Sequence, residues 1–443
     1  MGNWRKKMQR ARRLHRPSLK DWEQDGMVES FPPYFQEMQA QENYQCFVAD
    51  DETSETQPRR NIPEVLDAMT LTTEEFYRYE LESIPAVIRN IPAGYDGGKS
   101  VDPWPAQENW KLTALEQNYR LLNRRFKCGE DDDGKSIKIK LKHFLKYLHD
   151  NADDSPLYIF DSGFDEDKHA DRILKDYRVP TYFRDDLFGL VSERRRPPYR
   201  WWLVGPERSG TCVHIDPLAT SAWNTLIQGQ KRWVLFPPHV PKDVVKGKGL
   251  VRDDEDDEAI HYFMFILPRI KRQAHSLRHT LPYKDFCCYE FTQFAGETVF
   301  VPNGWWHAVL NITDTVAITQ NFCSPRNFDQ VWIKTRTGRK RMAWKWLTEL
   351  EEEYPELAER AKAMNQRDNF VMKYDPAEME RRERERRESN DARDREKERA
   401  ELEIPCWQRH RSTQPRPRGT PPSSEHENSF KRSRVEPRAT VSP

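Results

Sequence analysis

The chain has 443 residues, with 72 Lys plus Arg against 72 Asp plus Glu, so its formal net charge is zero. No apolar run reaches the roughly 18 residues of a spanning helix, and seven Cys without a CxxC pair exclude a disulfide framework in favour of a reduced, intracellular pattern. The 12% aromatic content, with 14 Trp, sits between polar ends and implies a well-packed middle.

Residues 1–60 are basic and polar and are expected to be largely flexible. "MGNWRKKMQRARRLHR" has no apolar core of a secretory signal. It fits a nuclear-localisation or nucleic-acid patch, or a solvated tail. Residues 61–155 read as a mixed helical and strand region that supports the core. Thr72 and Glu75 form a capping box ahead of a short helix, "IPAVIRN" reads as a strand, and "ENWKLTALEQNY" has helical spacing. "SIKIKLKHFLKYLHD" starts as an alternating strand and turns into an amphipathic helix.

Residues 156–330 hold many short β-rich runs with turn signals between them, including "PLYIFD", "RWWLVG", "CVHID", "TSAWNTLIQG", "KRWVLFPP", "FTQFAGETVFVP" and "TVAITQNF". This spacing predicts a mainly β domain, a sandwich or barrel. "VRDDEDDEAIHYFMFILPRIKRQAHSLRH" reads as an insertion that opens on an acidic stretch. Residues 331–374 turn helical, with Trp344, Leu347 and Leu350 on one face. The tail, 375–443, combines an Arg/Glu run with a Pro/Ser/Arg-rich end and reads as disordered or as a single solvated helix.

His214 and Asp216 stand two apart in an apolar run, a spacing that puts both on one face of a strand. His307 opens another apolar strand, after "NGWW". Two His and one carboxylate are the facial ligand set of non-haem Fe(II) oxygenases, which leaves positions open for cosubstrate and O2. Each residue also has a plainer reading: a core histidine, a turn before Pro217, a strand cap. Lys231 begins a strand, and a buried lysine needs an anionic partner that a dicarboxylate cosubstrate would supply; an exposed hairpin lysine is the alternative.

"HID", "GQKRWVLFPP" and "GETVFVPNGWWHAVLN" resemble the jumonji-C (JmjC) Fe(II)- and 2-oxoglutarate-dependent oxygenases, and the likeness spans roughly Leu71 to Glu356. The resemblance implies a double-stranded β-helix, a cupin-like jelly roll, with N-terminal helices and strands before it and a C-terminal helical segment after it. It implies His214, Asp216 and His307 as iron ligands, and Lys231 and Thr319 as grips on the far carboxylate of 2-oxoglutarate. Tyr158, Asn224 and Thr211 would complete that pocket. The implied chemistry is hydroxylation of protein lysines and removal of methyl from methyl-arginine, using O2. The implied substrates are Lys/Arg-rich segments of nuclear splicing factors or histones, and the implied location is the nucleus, nucleolus included, with some protein in the cytoplasm. Homo-oligomer formation is a further expectation for the partners of this chain. Two rivals stay open on the sequence: a nuclear scaffold that binds RNA through its basic termini, and a cupin-type isomerase or sugar-binding jelly roll with no use for Lys231 or Thr319.

Overall fold

Short β-branched and aromatic runs, broken by Gly, Pro, Asn and Asp turns, build two facing sheets. The structure, a computed structural model, describes residues 3–15, 26–40, 44–48, 63–131, 133–164, 171–192, 196–253, 255, 258–372 and, beyond these, 381, 384–385 and 388–389. Its strands in chain order are β1 (Tyr44–Val48), β2 (Glu64–Asp67), β3 (Ala86–Arg89), the two-residue pair β4 (Tyr95–Asp96) and β5 (Lys99–Ser100), β6 (Arg125–Glu130), β7 (Ser136–Lys140) and β8 (Ile159–Asp161). They continue with β9 (Arg200–Gly205), β10 (Gly210–His214), β11 (Ser221–Gln228), β12 (Gln230–Phe236), β13 (Cys287–Phe294), β14 (Thr298–Val301), β15 (Trp306–Asn311) and β16 (Thr315–Phe322).

One sheet runs β1-β13-β12-β15-β10 and the other β2-β3-β14-β11-β16-β9-β8. Among the described residues, only the β2–β3 pair is parallel. From β9 to β16 the chain passes from one sheet to the other at every step except β12–β13, which gives the double-stranded β-helix. The chain crosses from β11 in one sheet to β12 in the other at Gly229, whose φ is +92°; a Cβ there would lie 2.2 Å from the Asp314 carbonyl oxygen, so only glycine fits.

Between the sheets, Trp233, Leu235, Phe291 and Val309 meet Ala222, Val299 and Val301. The outer face of the larger sheet carries Trp202, Trp223 and Phe300, which pack on Phe76, Trp104, Trp110 and Phe144 from the N-terminal region. Trp223 is fully buried and stacks on Phe183 at 5.9 Å; truncating such an indole costs about 3–5 kcal/mol. The helical insertion, 259–276, covers the outer face of the smaller sheet at Val234, Phe236, Ala308 and Leu310. Behind it Arg232, fully buried, donates to Glu290 (3.0 Å), which also pairs with Lys271.

The helix Thr73–Leu81 starts at the expected capping box: the Thr72 hydroxyl accepts from the Glu75 amide (3.2 Å) and Glu75 accepts from the Thr72 amide (2.9 Å). The strand-to-helix switch falls at Leu141, between β7 and the helix Leu141–Asp150. Helices Phe328–Gly338, Lys340–Glu353 and Pro355–Arg367 follow the jelly roll.

Several expectations are corrected. The first 60 residues are not wholly irregular: the helix Asn3–Leu14 buries Met8 and Ala11, and β1 pairs with β13. The larger sheet reaches beyond 156–330, because β2 and β3 extend it next to β14. "ENWKLTALEQNY" forms short helices, Ala106–Asn109, Leu112–Gln117 and Tyr119–Leu122, rather than one. In the helix Lys340–Glu353 it is Trp346, not Trp344, that is fully buried, and it donates to the Leu187 carbonyl (3.0 Å). Helical residues outnumber strand residues, but they lie around a β core. Nearly all of the tail, 375–443, lies outside the described residues, as do 16–25, 41–43 and 49–62.

Candidate metal centre and cosubstrate pocket

Strands β10 and β15 pair so that His214 lies opposite His307. Their rings stand 4.2 Å apart, centroid to centroid. Asp216 follows just past the end of β10, its Oδ1 3.9 Å from His214 Nε2. One ligand atom from each of the three residues lies within 4.8 Å of the others.

Both imidazoles are oriented by their own strands. His214 Nδ1 donates to the Cys212 carbonyl (2.8 Å), and His307 Nδ1 donates to the Trp305 carbonyl (3.2 Å). A carbonyl only accepts, so each Nδ1 carries the hydrogen and each Nε2 keeps its lone pair. Burial pushes the His307 imidazole down to about 4, and His214 beside it adds to the shift, so the ring is neutral at physiological pH. The Asp216 Oδ2 is buried with no hydrogen-bond partner. Two free Nε2 atoms and an unsatisfied carboxylate fit a divalent cation such as Fe(II).

The strands also explain the rest of the pocket. Lys231, Trp233 and Leu235 on β12 lie opposite Asn311, Val309 and His307 on β15. Residues directly opposite share a face, as do alternate residues along a strand. Lys231 therefore shares the inner face with His307, about 13 Å along the strand from it. It is 1% exposed, no carboxylate pairs with it among the described residues, and burial pushes its amine down to about 7.

Thr319 on β16 lies opposite Asn224 on β11 and Trp201 on β9. Its hydroxyl donates to the Trp223 carbonyl (2.8 Å), so it must turn to donate to a ligand. The Asn224 Oδ1 is buried without a partner. Tyr158, half-buried, packs beside Leu203, Leu226 and Ala317, and burial pushes its phenol upward. Thr211 lies opposite Val309. A bulge between Thr211 and His214 returns both to the inner face although they stand three apart.

The structure thus places all eight expected residues on or beside the inner faces, with the three metal ligands in mutual reach. It adds Asn311, opposite Lys231 and fully buried, whose Nδ2 donates to Ser209 Oγ (2.9 Å) and whose Oδ1 has no partner. It adds Gly205 as well: a Cβ there would stand 2.4 Å from Tyr158 and 2.6 Å from Asn311. "NIT" after an apolar run gave no sign of a buried asparagine, while the glycine in "RWWLVG" is a signal of close approach.

The acidic stretch has less free charge than its sequence implies. Glu255 receives Arg269 Nη1 and Nη2 at 2.5 Å each, and Glu258 accepts from the Ser155 hydroxyl (2.9 Å). Asp253 is exposed; Asp254, Asp256 and Asp257 lie outside the described residues.

Residues 201–322 match the model of the JmjC domain, a hydroxylase. The chain is 42% identical over 310 residues to the bifunctional arginine demethylase and lysyl-hydroxylase psr-1 of Caenorhabditis elegans, over 70% of this chain and 73% of that protein. It is 39% identical over 355 residues to the protein of the same name from Caenorhabditis briggsae, covering 80% and 79%. It is 30% identical over 165 residues to the 2-oxoglutarate and iron-dependent oxygenase JMJD4 homolog of Drosophila melanogaster, covering 37% and 34%.

Proposed function

This chain belongs to the JmjC-domain hydroxylases, as an iron- and 2-oxoglutarate-dependent oxygenase, and we propose that its substrates are lysine side chains in Lys/Arg-rich segments of nuclear proteins, splicing factors first among them. The observation that carries the reading is the meeting of His214, Asp216 and His307, together with the similarity to relatives named for lysyl hydroxylation. Bound there with 2-oxoglutarate, iron supplies an oxidant from O2 that places oxygen on an unactivated C–H bond, with release of succinate and CO2.

The chain's own residues perform the rest. His214 Nε2, His307 Nε2 and an Asp216 oxygen hold the cation, while the two backbone carbonyls keep the rings from turning. Lys231, in its charged form, meets the far carboxylate of the cosubstrate, and Thr319 and Asn224 line the inner face of the opposite sheet. Trp233, stacked at 6.1 Å from His307 and held by Gln293 Oε1 (2.9 Å), fills the space beside the ligand ring and keeps water from that side.

The exposed Asp253 favours a basic peptide by raising its encounter rate. Removal of a methyl group from methyl-arginine is the second activity in the relatives' names, and it needs the same metal site. The test is incubation of paired Lys- and methyl-Arg-containing Arg/Ser-rich peptides with O2, Fe(II) and 2-oxoglutarate, read by mass spectrometry. A gain of one oxygen on lysine supports the proposal. Methyl loss with formaldehyde and no lysine oxidation replaces it with demethylation, and succinate formation without peptide change refutes the substrate class.

RNA binding is a second reading, favoured by one local observation. Lys7, from the helix Asn3–Leu14, stands 3.4 Å from His143, and Lys142, Lys140 and Lys146 crowd the same imidazole. If this face holds phosphate, filter binding of single-stranded RNA weakens steeply with salt and is reduced by K7E/K146E.

A further inference from the structure

The metal carboxylate is followed at once by a turn in an unusual conformation. Leu218 has φ 59° and Ala219 has φ 56°, and the turn is closed by the Thr220 amide donating to the Pro217 carbonyl (3.2 Å). Two successive positive φ values across such a hydrogen bond mark a type I′ turn, which Asn and Gly favour and side chains such as Leu and Ala resist. Left-handed non-glycine residues persist only where their surroundings over-determine them.

Two contacts supply that hold. Leu218 packs against the cluster of the C-terminal helices that includes Phe328, Trp332 and Trp346, and its Cδ2 lies 3.7 Å from where a Cβ on Gly338 would stand. Thr220, whose hydroxyl donates to the Pro217 carbonyl (2.9 Å), receives Asn321 Nδ2 from β16 (3.0 Å). Thr220 and Asn321 hold the far end of the turn, and the Leu218 side chain ties its first left-handed residue to the C-terminal helices.

We infer that Leu218 is a positioning residue through which the C-terminal helical segment holds Asp216 in place to bind metal. The anchor holds a strained turn in the left-handed region; without it the turn relaxes and carries the carboxylate away from the two imidazoles. The inference rests on the metal reading of His214, Asp216 and His307.

The test measures Mn(II) binding to the full chain by loss of the free-ion electron paramagnetic resonance signal, with thermal melting alongside. Wild type, D216A, L218A and L218N/A219G are compared. The double variant also lacks the apolar anchor, but it carries the Asn-Gly pair that adopts a type I′ turn unaided. Relief of the strain of one or two left-handed residues predicts about tenfold weaker Mn(II) binding in L218A. L218N/A219G should return to within about threefold of wild type. Equal binding by L218A and wild type overturns the inference. Equal weakness in both Leu218 variants also overturns it, because the loss then follows the missing packing and not the turn. If wild type binds no more Mn(II) than D216A, the metal site itself is misassigned and the inference falls with it.

Discussion

Lys231 makes cosubstrate binding depend on pH in a direction the structure fixes. Burial pushes its amine down from the usual lysine range to about 7, and no carboxylate pairs with it among the described residues. A lysine with a depressed value is neutral in the ligand-free fold above about pH 7, while in the unfolded chain it stays charged up to about 10.4. The native protein therefore loses stability as pH falls through that window, and the burial cost is complete below about 7. A dicarboxylate reverses the preference, since the charged amine then gains a charge-assisted hydrogen bond of about 1.5–3 kcal/mol. At pH 8 only roughly 9% of ligand-free molecules carry the proton, so binding must take one up. Affinity for 2-oxoglutarate should fall about tenfold for each pH unit above 7. The assay is calorimetric titration of the Mn(II)-loaded protein, which does not turn over, in two buffers of different ionisation heat. Uptake of about 0.9 proton per ligand at pH 8 is expected. Lys231→Ala should bind about 10–150-fold more weakly at pH 6.5 and show no such pH slope. An affinity that is flat from pH 7 to 9 in the wild-type protein, with no buffer dependence, would refute the placement of Lys231 against the carboxylate.

Three other outcomes are expected. Gly205→Ala drives a methyl group into Tyr158 and Asn311, so 2-oxoglutarate affinity should drop and thermal stability should fall by about 1–3 kcal/mol, as overpacking does; unchanged binding would mean that the pocket lies elsewhere. Glu290→Gln leaves Arg232 and Lys271 buried without their anion, which costs about 3–5 kcal/mol by chemical denaturation. Burial alone would raise the Glu290 carboxyl, but Lys271 and Arg232 outweigh it and hold it below the usual range. The stability it contributes is present at neutral pH and lost as pH falls through that depressed value, so the gap between variant and wild type should close only in strong acid. Replacing Asp253, Asp254, Asp256 and Asp257 with Asn should lower kcat/KM for a Lys/Arg-rich peptide and flatten its salt dependence, leaving peptide-independent succinate formation unchanged; no change in either peptide measure removes the acidic stretch from substrate capture.

The metal site was legible in the close spacing of His214 and Asp216, although only His214 lies on the strand and Asp216 stands just past its end, and in the histidine after "NGWW", whose strand pairs with β10. The jelly roll was legible in its regular short runs, and the start of the helix Thr73–Leu81 in Thr72 and Glu75. What escaped the sequence were features set by long-range pairing. "YQCFV" is five residues among charges, and only β13 makes it a strand. The bulge between Thr211 and His214 brings to one face two residues that strict alternation would set on opposite faces. The turn at Leu218 and Ala219 carries neither Gly nor Asn, so local chemistry argued against the conformation that its neighbours impose. Glu255 and Glu258 looked like free charge because their partners, Arg269 and Ser155, lie elsewhere in the chain.

The pairing of β1 with β13 has a consequence for how the molecule is made. Val48 and Cys287 are register partners, so the N-terminal strand cannot dock until some 239 further residues have been synthesised (287 − 48). At about 5–20 residues per second, that is roughly 12–48 s on the ribosome. His307 emerges later still, 93 residues behind His214 (307 − 214). For some 239 residues of translation the nascent chain therefore presents an uncovered strand edge, and for the 93 residues between His214 and His307 it presents half a metal site (287 − 48 and 307 − 214). A chaperone that shields residues 44–48 in that interval, and iron bound only once His307 has emerged, would each follow from the order in which the strands appear.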